Sequence, residues 1–252
     1  MLAVNLRNGG KNMILWIVAA TVAYFIKGLC GFANTLVFTS ILSFGAANAS
    51  ISPIDLVLGY PTNLILTWRN RRSLDRKVWL PLAALVLLGS VPGALLLKNV
   101  DARHIKLLFG LVVAALGAEM IVGTGRKKRP QTAKGTLALI GMGAGMLCGL
   151  FGVGALLAAY MGRVTENAPS FKANISAVFI VDNTFRLVLY SFLGLLTPDT
   201  VKTVLLLMPF ALLGLFGGML CSRRLNEGTV RKATAVLLVL SGFSLILKNL
   251  GL

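Results

Sequence analysis

Long stretches without a charged residue dominate the chain. They occupy residues 28–54, 78–97, 135–162 and 203–222. An α-helix needs about 20 predominantly apolar residues to cross the hydrocarbon core of a bilayer, and each stretch reaches that length. The pattern therefore predicts an all-α polytopic membrane protein, whose helices lie against lipid as well as against each other.

Short polar stretches divide the apolar pattern into eight segments. These segments fall into two units, residues 1–123 and 135–252, joined by a basic linker at 124–134 that is expected in the cytoplasm. The first unit contains segments 13–45, 52–68, 78–97 and 105–123. The second contains segments 135–161, 173–195, 202–221 and 232–249. We therefore expect two four-segment repeats.

Glycine motifs support this duplication. The sequence GLCGF at 28–32 aligns with GLFGV at 149–153, and Asn63 then falls opposite Asn183. Glycine and leucine also recur by chance in any apolar chain. The matches nevertheless keep the same order across several segments, which favours a duplicated unit over coincidence.

The first segment of each repeat is too long for one straight crossing. Residues 13–45 would measure about 50 Å as a single helix, against a hydrocarbon core of about 30 Å. Glycines near the middle of both segments allow the backbone to turn at low cost. We therefore predict that each repeat opens with a glycine-broken re-entrant hairpin, whose arms of about 15 residues reach the midplane and return.

The distribution of Lys and Arg favours this hairpin topology. If both long segments return to their starting side, 16 basic residues face the cytoplasm and 7 face outward; if all eight segments cross, the division is 14 against 9. The first division obeys the positive-inside rule better. It leaves three crossings per repeat, so the repeats are predicted to be inverted. Both termini would then lie outside, with loops 69–77, 126–134 and 223–232 in the cytoplasm.

Composition excludes several classes of protein. The 252 residues are 56% hydrophobic and 13% charged, with a mean hydropathy of +0.82, unlike a soluble domain or a disordered chain. The net charge of +17 follows the positive-inside pattern and does not predict a nucleic-acid partner. Three cysteines within apolar stretches give no disulfide framework. The first apolar stretch exceeds a signal-peptide core, so no cleaved signal peptide is expected.

Two basic residues lie inside apolar segments. Lys27 adjoins the glycines of the first predicted turn, and Arg186 lies one helical turn after Asp182. A charge at the bilayer centre costs at least about 2.5 kcal/mol, so such side chains usually face a cavity or a partner. One interpretation is structural: Asp182 pairs with Arg186 at i,i+4 spacing, and Lys27 reaches the interface from a helix end. In the other interpretation, both cations bind an anionic substrate.

Further polar groups would complete an anion site. A second half-helix is expected to begin at about Asn34 and at about Ala155, where free backbone N–H groups favour an anion. Asn63 and Asn183 would add amides, although asparagines also hold membrane helices together. The predicted substrate-binding residues are Lys27, Gly28, Gly31, Asn34, Tyr60, Asn63, Gly152, Gly154, Asn183 and Arg186, with Asp182 as the coupling residue.

Other residues are assigned structural roles. Asp55 is expected to begin the second segment, where a carboxylate suits a helix N-terminus. Lys172 is expected in a cytoplasmic loop. The pairs Gly89/Gly93 and Gly214/Gly218 are typical of helix packing. The sequence shows no assembled catalytic set, metal cluster or phosphate loop, so no enzyme, metal or cofactor is predicted.

The glycine-bearing stretches resemble those of the sulfite exporter TauE/SafE family, also called the sulfonate uptake permease family. The resemblance rests on GLCGFAN at 28–34, CGLFGVG at 148–154 and KANISA at 172–177. Ala33 departs from the glycine found at 154, and neither turn is soon followed by the proline that members often carry. The resemblance implies transport of sulfite or small organosulfonates across the bacterial inner membrane.

A secondary transporter for a small sulfur-containing anion is the leading hypothesis, with the two halves alternating about a midplane site. The direction of transport stays open. The alternatives are a passive anion channel, and a membrane assembly factor whose cations serve a partner helix. The expected partners are the anion, the lipid bilayer and a coupling proton or ion, with a homodimer as one possible assembly.

Overall fold

The computed structural model describes residues 9–42, 48–96 and 154–225, together with separate residues within 107–122, 141–148 and 228–247. In these parts the chain is helical with short turns and contains no β-strand, as the sequence predicts. The helices are α1 (Gly9–Cys30), α2 (Asn34–Leu42), α3 (Asn48–Arg69), α4 (Arg76–Leu96), α5 (Ala155–Val164), α6 (Ala168–Phe192) and α7 (Pro198–Arg224), with a 3-10 turn at Arg71–Ser73.

Three helices in the described part are long and apolar enough to cross a membrane. They are Met13–Cys30 within α1, Ala168–Phe192 and Pro198–Arg224. Large apolar side chains on these helices face outward, such as Leu205 and Leu213, each 67% exposed. Such exposure suits contact with lipid. The linker 124–134 and most of segments 105–123 and 232–249 lie outside the described residues. So do residues 135–140 and 149–153 of segment 135–161, which include the second predicted glycine turn.

α6 and α7 each start at a polar capping residue, several residues before the apolar segment. Asn167 Oδ1 accepts a hydrogen bond of 2.9 Å from the Ser170 N–H, and Thr197 Oγ1 accepts one of 3.2 Å from the Thr200 N–H. These caps satisfy N–H groups that a helix start leaves unpaired. The predicted starts at 173 and 202 are therefore late by several residues. Lys172, expected in a loop, lies inside α6.

The first long segment breaks at its glycines. α1 ends at Cys30 and α2 begins at Asn34; between them, Gly31 has a φ of +90° and Ala33 a φ of +74°. Glycine adopts such angles readily, whereas alanine is strained there. The turn predicted near Gly31 is confirmed, and so is the start of a second helix at Asn34.

The two helices joined by this turn are unequal and pack on each other. The rings of Trp16 in α1 and Phe38 in α2 meet edge to face, with centroids 5.8 Å apart. The chain therefore reverses direction at the turn. α1 has 22 residues and α2 has 9, in place of the two arms of about 15 expected from the sequence. The difference arises because α1 begins before its apolar run and continues to Cys30.

Glycines allow α1 to pack closely on α7. A Cβ at Gly28 would collide with the backbone of Leu215 in α7. A Cβ at Gly214 or Gly218 would likewise collide with the backbone of α1. Gly89 of α4 faces the helical residues 142–146 in the same way. The packing role predicted for Gly89, Gly214 and Gly218 is therefore confirmed, whereas Gly28 is a packing residue inside α1 and not part of the turn.

Side-chain contacts bring three parts of the chain to one end of the helices. Asn174, near the start of α6, donates from Nδ2 to the Ser73 carbonyl at 3.4 Å and accepts from the Asp75 N–H at 3.0 Å. Lys172 Nζ donates to Ser222 Oγ at 2.7 Å, near the end of α7. The turn between α3 and α4, the start of α6 and the end of α7 therefore lie together.

Candidate functional site

A cavity lies where five helices meet. Its wall contains the end of α1, the start of α2, the middle of α3, the residue before α5 and the middle of α6, so both halves of the chain contribute. Its polar and glycine residues are Lys27, Asn34, Thr35, Asp55, Gly59, Asn63, Gly154, Asn183 and Arg186. Its apolar residues are Phe32, Ala33, Leu36, Leu56 and Phe179.

The wall brings together several residues singled out in the sequence. Those that line it are Lys27, Asn34, Asn63, Gly154, Asn183 and Arg186. Those that do not line it are Gly28, Gly31, Tyr60 and Asp182, each of which is a close sequence neighbour of a lining residue. Gly152 lies outside the described residues.

Lys27 is enclosed by the protein. Its side chain is 1% exposed, and Nζ donates a hydrogen bond of 3.3 Å to the Gly59 carbonyl of α3. The ammonium also lies 5.5 Å from the centroid of the Tyr24 ring. This burial contradicts the interpretation in which Lys27 reaches the interface. Because an ammonium carries three N–H donors, Lys27 retains donors beyond the bond to Gly59.

Arg186 is held by hydroxyl groups. Its Nη2 donates to Ser52 Oγ at 3.2 Å and to Tyr190 Oη at 3.0 Å, while the guanidinium is 5% exposed. The Nε–H has no hydrogen-bond partner in the described structure, although the atom is buried. A buried donor without a partner is rare and costly in proteins. The Arg186 Nε–H is therefore available to a ligand bound in the cavity.

Asp182 does not form the ion pair that its spacing from Arg186 predicts. In the described residues no salt bridge joins the two side chains, and Asp182 Oδ1 accepts a hydrogen bond of 2.6 Å from Ser90 Oγ of α4. The Ser90 hydroxyl also lies 3.1 Å from the Gly145 carbonyl, which competes with Asp182 for its single hydrogen. Asp182 therefore makes its side-chain hydrogen bond to α4, and Arg186 acts on it electrostatically without forming a salt bridge.

Asp55 is a site residue that the sequence analysis assigned to a helix end. α3 begins at Asn48, two turns earlier, so Asp55 lies within the helix and is 3% exposed. Its carboxylate accepts hydrogen bonds from Tyr24 Oη at 2.9 Å, Asn34 Nδ2 at 3.0 Å and Thr35 Oγ1 at 2.5 Å. The available signal was its position as the first charge after the long uncharged run 28–54.

Lys172 is a third buried cation, which the sequence analysis placed in a cytoplasmic loop. It is 7% exposed, and its Nζ donates to the Gly28 carbonyl at 2.9 Å as well as to Ser222. Its side chain also packs on Gly31, which is why that glycine has no room for a Cβ. Lys172 thus supports the turn from outside the cavity.

The amides of the wall complete its polar surface. Asn63 is 1% exposed and its Oδ1 has no hydrogen-bond partner in the described structure; Asn183 of α6 lines the same cavity. Tyr60 points elsewhere, since its hydroxyl accepts a hydrogen bond of 3.3 Å from the partly exposed Thr184. The amides therefore offer both donors and acceptors to a ligand, whereas Tyr60 does not line the wall.

Two helix starts face this wall. α2 begins at Asn34 and α5 begins at Ala155, directly after Gly154, which makes no side-chain cap. The first N–H groups of a helix lack intrahelical partners and carry partial positive charge. Together with Lys27 and Arg186, these groups make the wall suitable for a small anion with several oxygen atoms.

The chain belongs to the sulfite exporter TauE/SafE family, whose model matches residues 16–245. The family is one of membrane transporters, and the apolar helices agree with an integral membrane protein. Neither a curated protein nor a solved structure matches the chain.

Proposed function

We propose that the protein is a secondary transporter that binds a small sulfur-containing anion, sulfite or an organosulfonate, in this cavity. The meeting of Lys27 and Arg186 in one wall is the observation that carries the proposal, because each is buried without a salt bridge in the described structure. The family description supports the sulfur chemistry of the substrate. Transport across the bacterial inner membrane is part of the same proposal.

The donors of the wall match the chemistry of such an anion. A sulfite or sulfonate group presents three oxygen atoms that accept hydrogen bonds. Lys27 Nζ, Arg186 Nε and the Asn183 amide can donate to them, and the N-terminus of α2 adds a favourable dipole. Hydrogen bonds between charged partners in such a dry site are stronger than neutral ones.

Contacts at the end of the helices support the predicted hairpin topology. If all eight segments crossed the membrane, the turn between α3 and α4 would lie on the side opposite the end of α7. Hydrogen bonds instead link both to the start of α6, through Asn174 and Lys172. The reversal of the chain at Gly31 supports the same topology. We therefore propose that residues 13–45 enter the membrane and return.

Reciprocal glycine packing supports an inverted repeat. α1, from the first half, packs on α7 from the second through Gly28 and Gly218; residues around Gly145, from the second half, pack on α4 from the first through Gly89. Each half therefore places its opening helix against a later helix of the other. In transporters, such halves move relative to each other around a shared site.

Transport of an anion against the inside-negative potential requires an energy source, which we propose to be an ion gradient. Two buried carboxylates lie close enough to the site to act. Asp182 is the coupling residue proposed from the sequence, and Asp55 is the carboxylate in the cavity wall.

Thermal unfolding of the detergent-purified protein tests the binding step. We expect the melting temperature to rise with sulfite, thiosulfate, methanesulfonate, sulfoacetate or taurine, and to rise less with acetate or chloride at equal ionic strength. Lys27→Met should strongly reduce the shift at the same anion concentration, because it weakens binding. Lys202→Met, which removes a cation that is 79% exposed, should retain it. Equal shifts in all three proteins would contradict the proposal.

A further inference from the structure

We propose that Asp55 takes up a proton when the anion binds, so that the protein moves the anion together with one proton. This role deepens the function proposed above and rests on it. It assigns the coupling step to a residue in the cavity wall, in contact with the two helices that flank the turn at Gly31.

The buried charges at the site already balance before an anion is added. Lys27 and Arg186 are 1% and 5% exposed, and Asp55 and Asp182 are 3% and 1% exposed. Asp182 does not line the cavity but interacts electrostatically with Arg186 from one helical turn away, and Asp55 interacts in the same way with Lys27. Lys172 is not counted, because its Nζ is bonded to Gly28 and Ser222 outside the cavity. A bound monoanion would therefore leave one uncompensated negative charge in a poorly hydrated region. Such a charge is costly to bury unless it is compensated. Uptake of one proton by a carboxylate restores the balance.

Position distinguishes Asp55 from Asp182 as the proton acceptor. Asp55 lines the same cavity as Lys27 and Arg186, whereas Asp182 does not line it. Asp182 is instead bonded to Ser90, which also contacts the Gly145 carbonyl. A proton on Asp55 would thus lie beside the bound anion, where the change in charge is needed.

The hydrogen bonds of Asp55 can accommodate both protonation states. Two of its donors are hydroxyl groups, Tyr24 Oη and Thr35 Oγ1. A hydroxyl can donate to a carboxylate or accept from a carboxylic acid after rotation of its hydrogen. The proton can therefore bind at Oδ1 or Oδ2 and donate to one of these oxygens, without a change in helix packing. The amide of Asn34 continues to donate to the other oxygen.

Charged groups from two helices link this protonation to the anion. α1 contributes Lys27 and the ring hydroxyl of Tyr24, and α6 contributes Arg186, whereas α2 and α7 bring no titratable side chain to the described wall. Without the anion, Lys27 is the buried cation that interacts electrostatically with the Asp55 carboxylate. An anion beside Lys27 offsets the field of this cation, so that anion binding favours the protonated form of Asp55.

Proton uptake during binding is the measurement that tests this role. Thiosulfate and methanesulfonate are suitable probes because both remain deprotonated near neutral pH, so any proton taken up belongs to the protein. Calorimetric titration in two buffers of different ionisation enthalpy gives the number of protons per bound anion. We expect about one for the unaltered protein, and an affinity that falls by up to about tenfold per pH unit where binding requires the uptake of one proton.

Asparagine replacements separate the two carboxylates. Asp55→Asn imitates the protonated form, so it should bind the probe without proton uptake and with an affinity independent of pH. Asp199→Asn changes an exposed carboxylate in the same way and should behave as the unaltered protein does. Proton uptake that persists in Asp55→Asn, or that is lost only in Asp182→Asn, would overturn the assignment to Asp55.

If Asp55→Asn does not fold, a second variant tests the role of Asp55. Tyr24→Phe keeps the carboxylate but removes one of its hydrogen-bond donors, so the dependence of affinity on pH should change. An unchanged profile would overturn the role of Asp55. Probe binding without proton uptake in the unaltered protein would overturn it as well and leave the proposed function standing. Failure of all the sulfur anions to bind would instead overturn the proposed function.

Discussion

Lys172 Nζ donates a hydrogen bond of 2.9 Å to the carbonyl oxygen of Gly28. Gly28 lies in the last turn of α1, where carbonyl groups lack intrahelical donors. The ammonium therefore caps α1 and complements the negative end of its dipole. Because Lys27 is the preceding residue, this cap also holds the cavity wall in place.

Replacement of the capping residue should destabilise the protein. Lys172→Met keeps the apolar stem but loses the bonds to Gly28 and Ser222, so we expect the free energy of unfolding to fall by about 2 kcal/mol. Thermal unfolding in detergent measures this change. Lys202→Met, at an exposed position of α7, is the matched control and should change stability little. Equal stability of the two variants would show that the cap is unimportant.

Arg186 and Lys27 should differ in their effect on folding. Arg186 holds Ser52 and Tyr190, whereas the one protein hydrogen bond described for Lys27 is 3.3 Å long. Arg186→Met should therefore lower the free energy of unfolding more than Lys27→Met does, because it also leaves Asp182 without a nearby cation. Denaturant titration compares the variants. A more stable Arg186→Met protein would contradict this view of the site.

The strained residue of the turn gives a prediction of the opposite sign. Ala33 has a φ of +74°, a conformation that costs alanine about 1–2 kcal/mol relative to glycine. Ala33→Gly should leave stability unchanged or raise it by about 1 kcal/mol, since relief of strain is partly offset by the greater flexibility of the unfolded chain. Ala20→Gly, in the middle of α1 and fully buried, should destabilise the protein. Equal losses in both variants would argue against strain at Ala33.

Cysteine labelling tests the proposed orientation. In a background that lacks Cys30, Cys148 and Cys221, a cysteine at Ser73 should resist membrane-impermeant thiol reagents in intact cells. Asp199 lies in the first turn of α7, at the end opposite Ser222, and its side chain is 76% exposed. A cysteine at this position should therefore react. Labelling at Ser73 and protection at Asp199 would reverse the orientation.

The apolar pattern predicts the helices well because a helix that crosses a bilayer needs about 20 predominantly apolar residues, a property of the local sequence. The turn at Gly31 was equally predictable, since backbone conformation at positive φ depends on local residue type. The boundaries of the helices were less predictable. Asn167 and Thr197 cap helices whose first turns are polar, and hydropathy alone assigns such turns to loops.

The roles of charged residues depended on contacts between distant parts of the chain. The spacing of Asp182 and Arg186 predicts a local pair, yet Asp182 bonds to Ser90 and Arg186 bonds to Ser52, 92 and 134 residues away in sequence. Lys172 likewise bonds to Gly28 across 144 residues. Such partners follow from helix packing, which no local pattern specifies.

Transport by purified protein tests the central claim most directly, namely that Lys27 and Arg186 form the binding site for a sulfur-containing anion. Proteoliposomes with the unaltered protein should accumulate radiolabelled sulfite or thiosulfate when an ion gradient is imposed. Loss of either cation should weaken binding by roughly 1.5–3 kcal/mol, or about 10- to 100-fold in affinity, and slow transport accordingly. Folded Lys27→Met protein that transports the anion as fast as the unaltered protein would contradict the account.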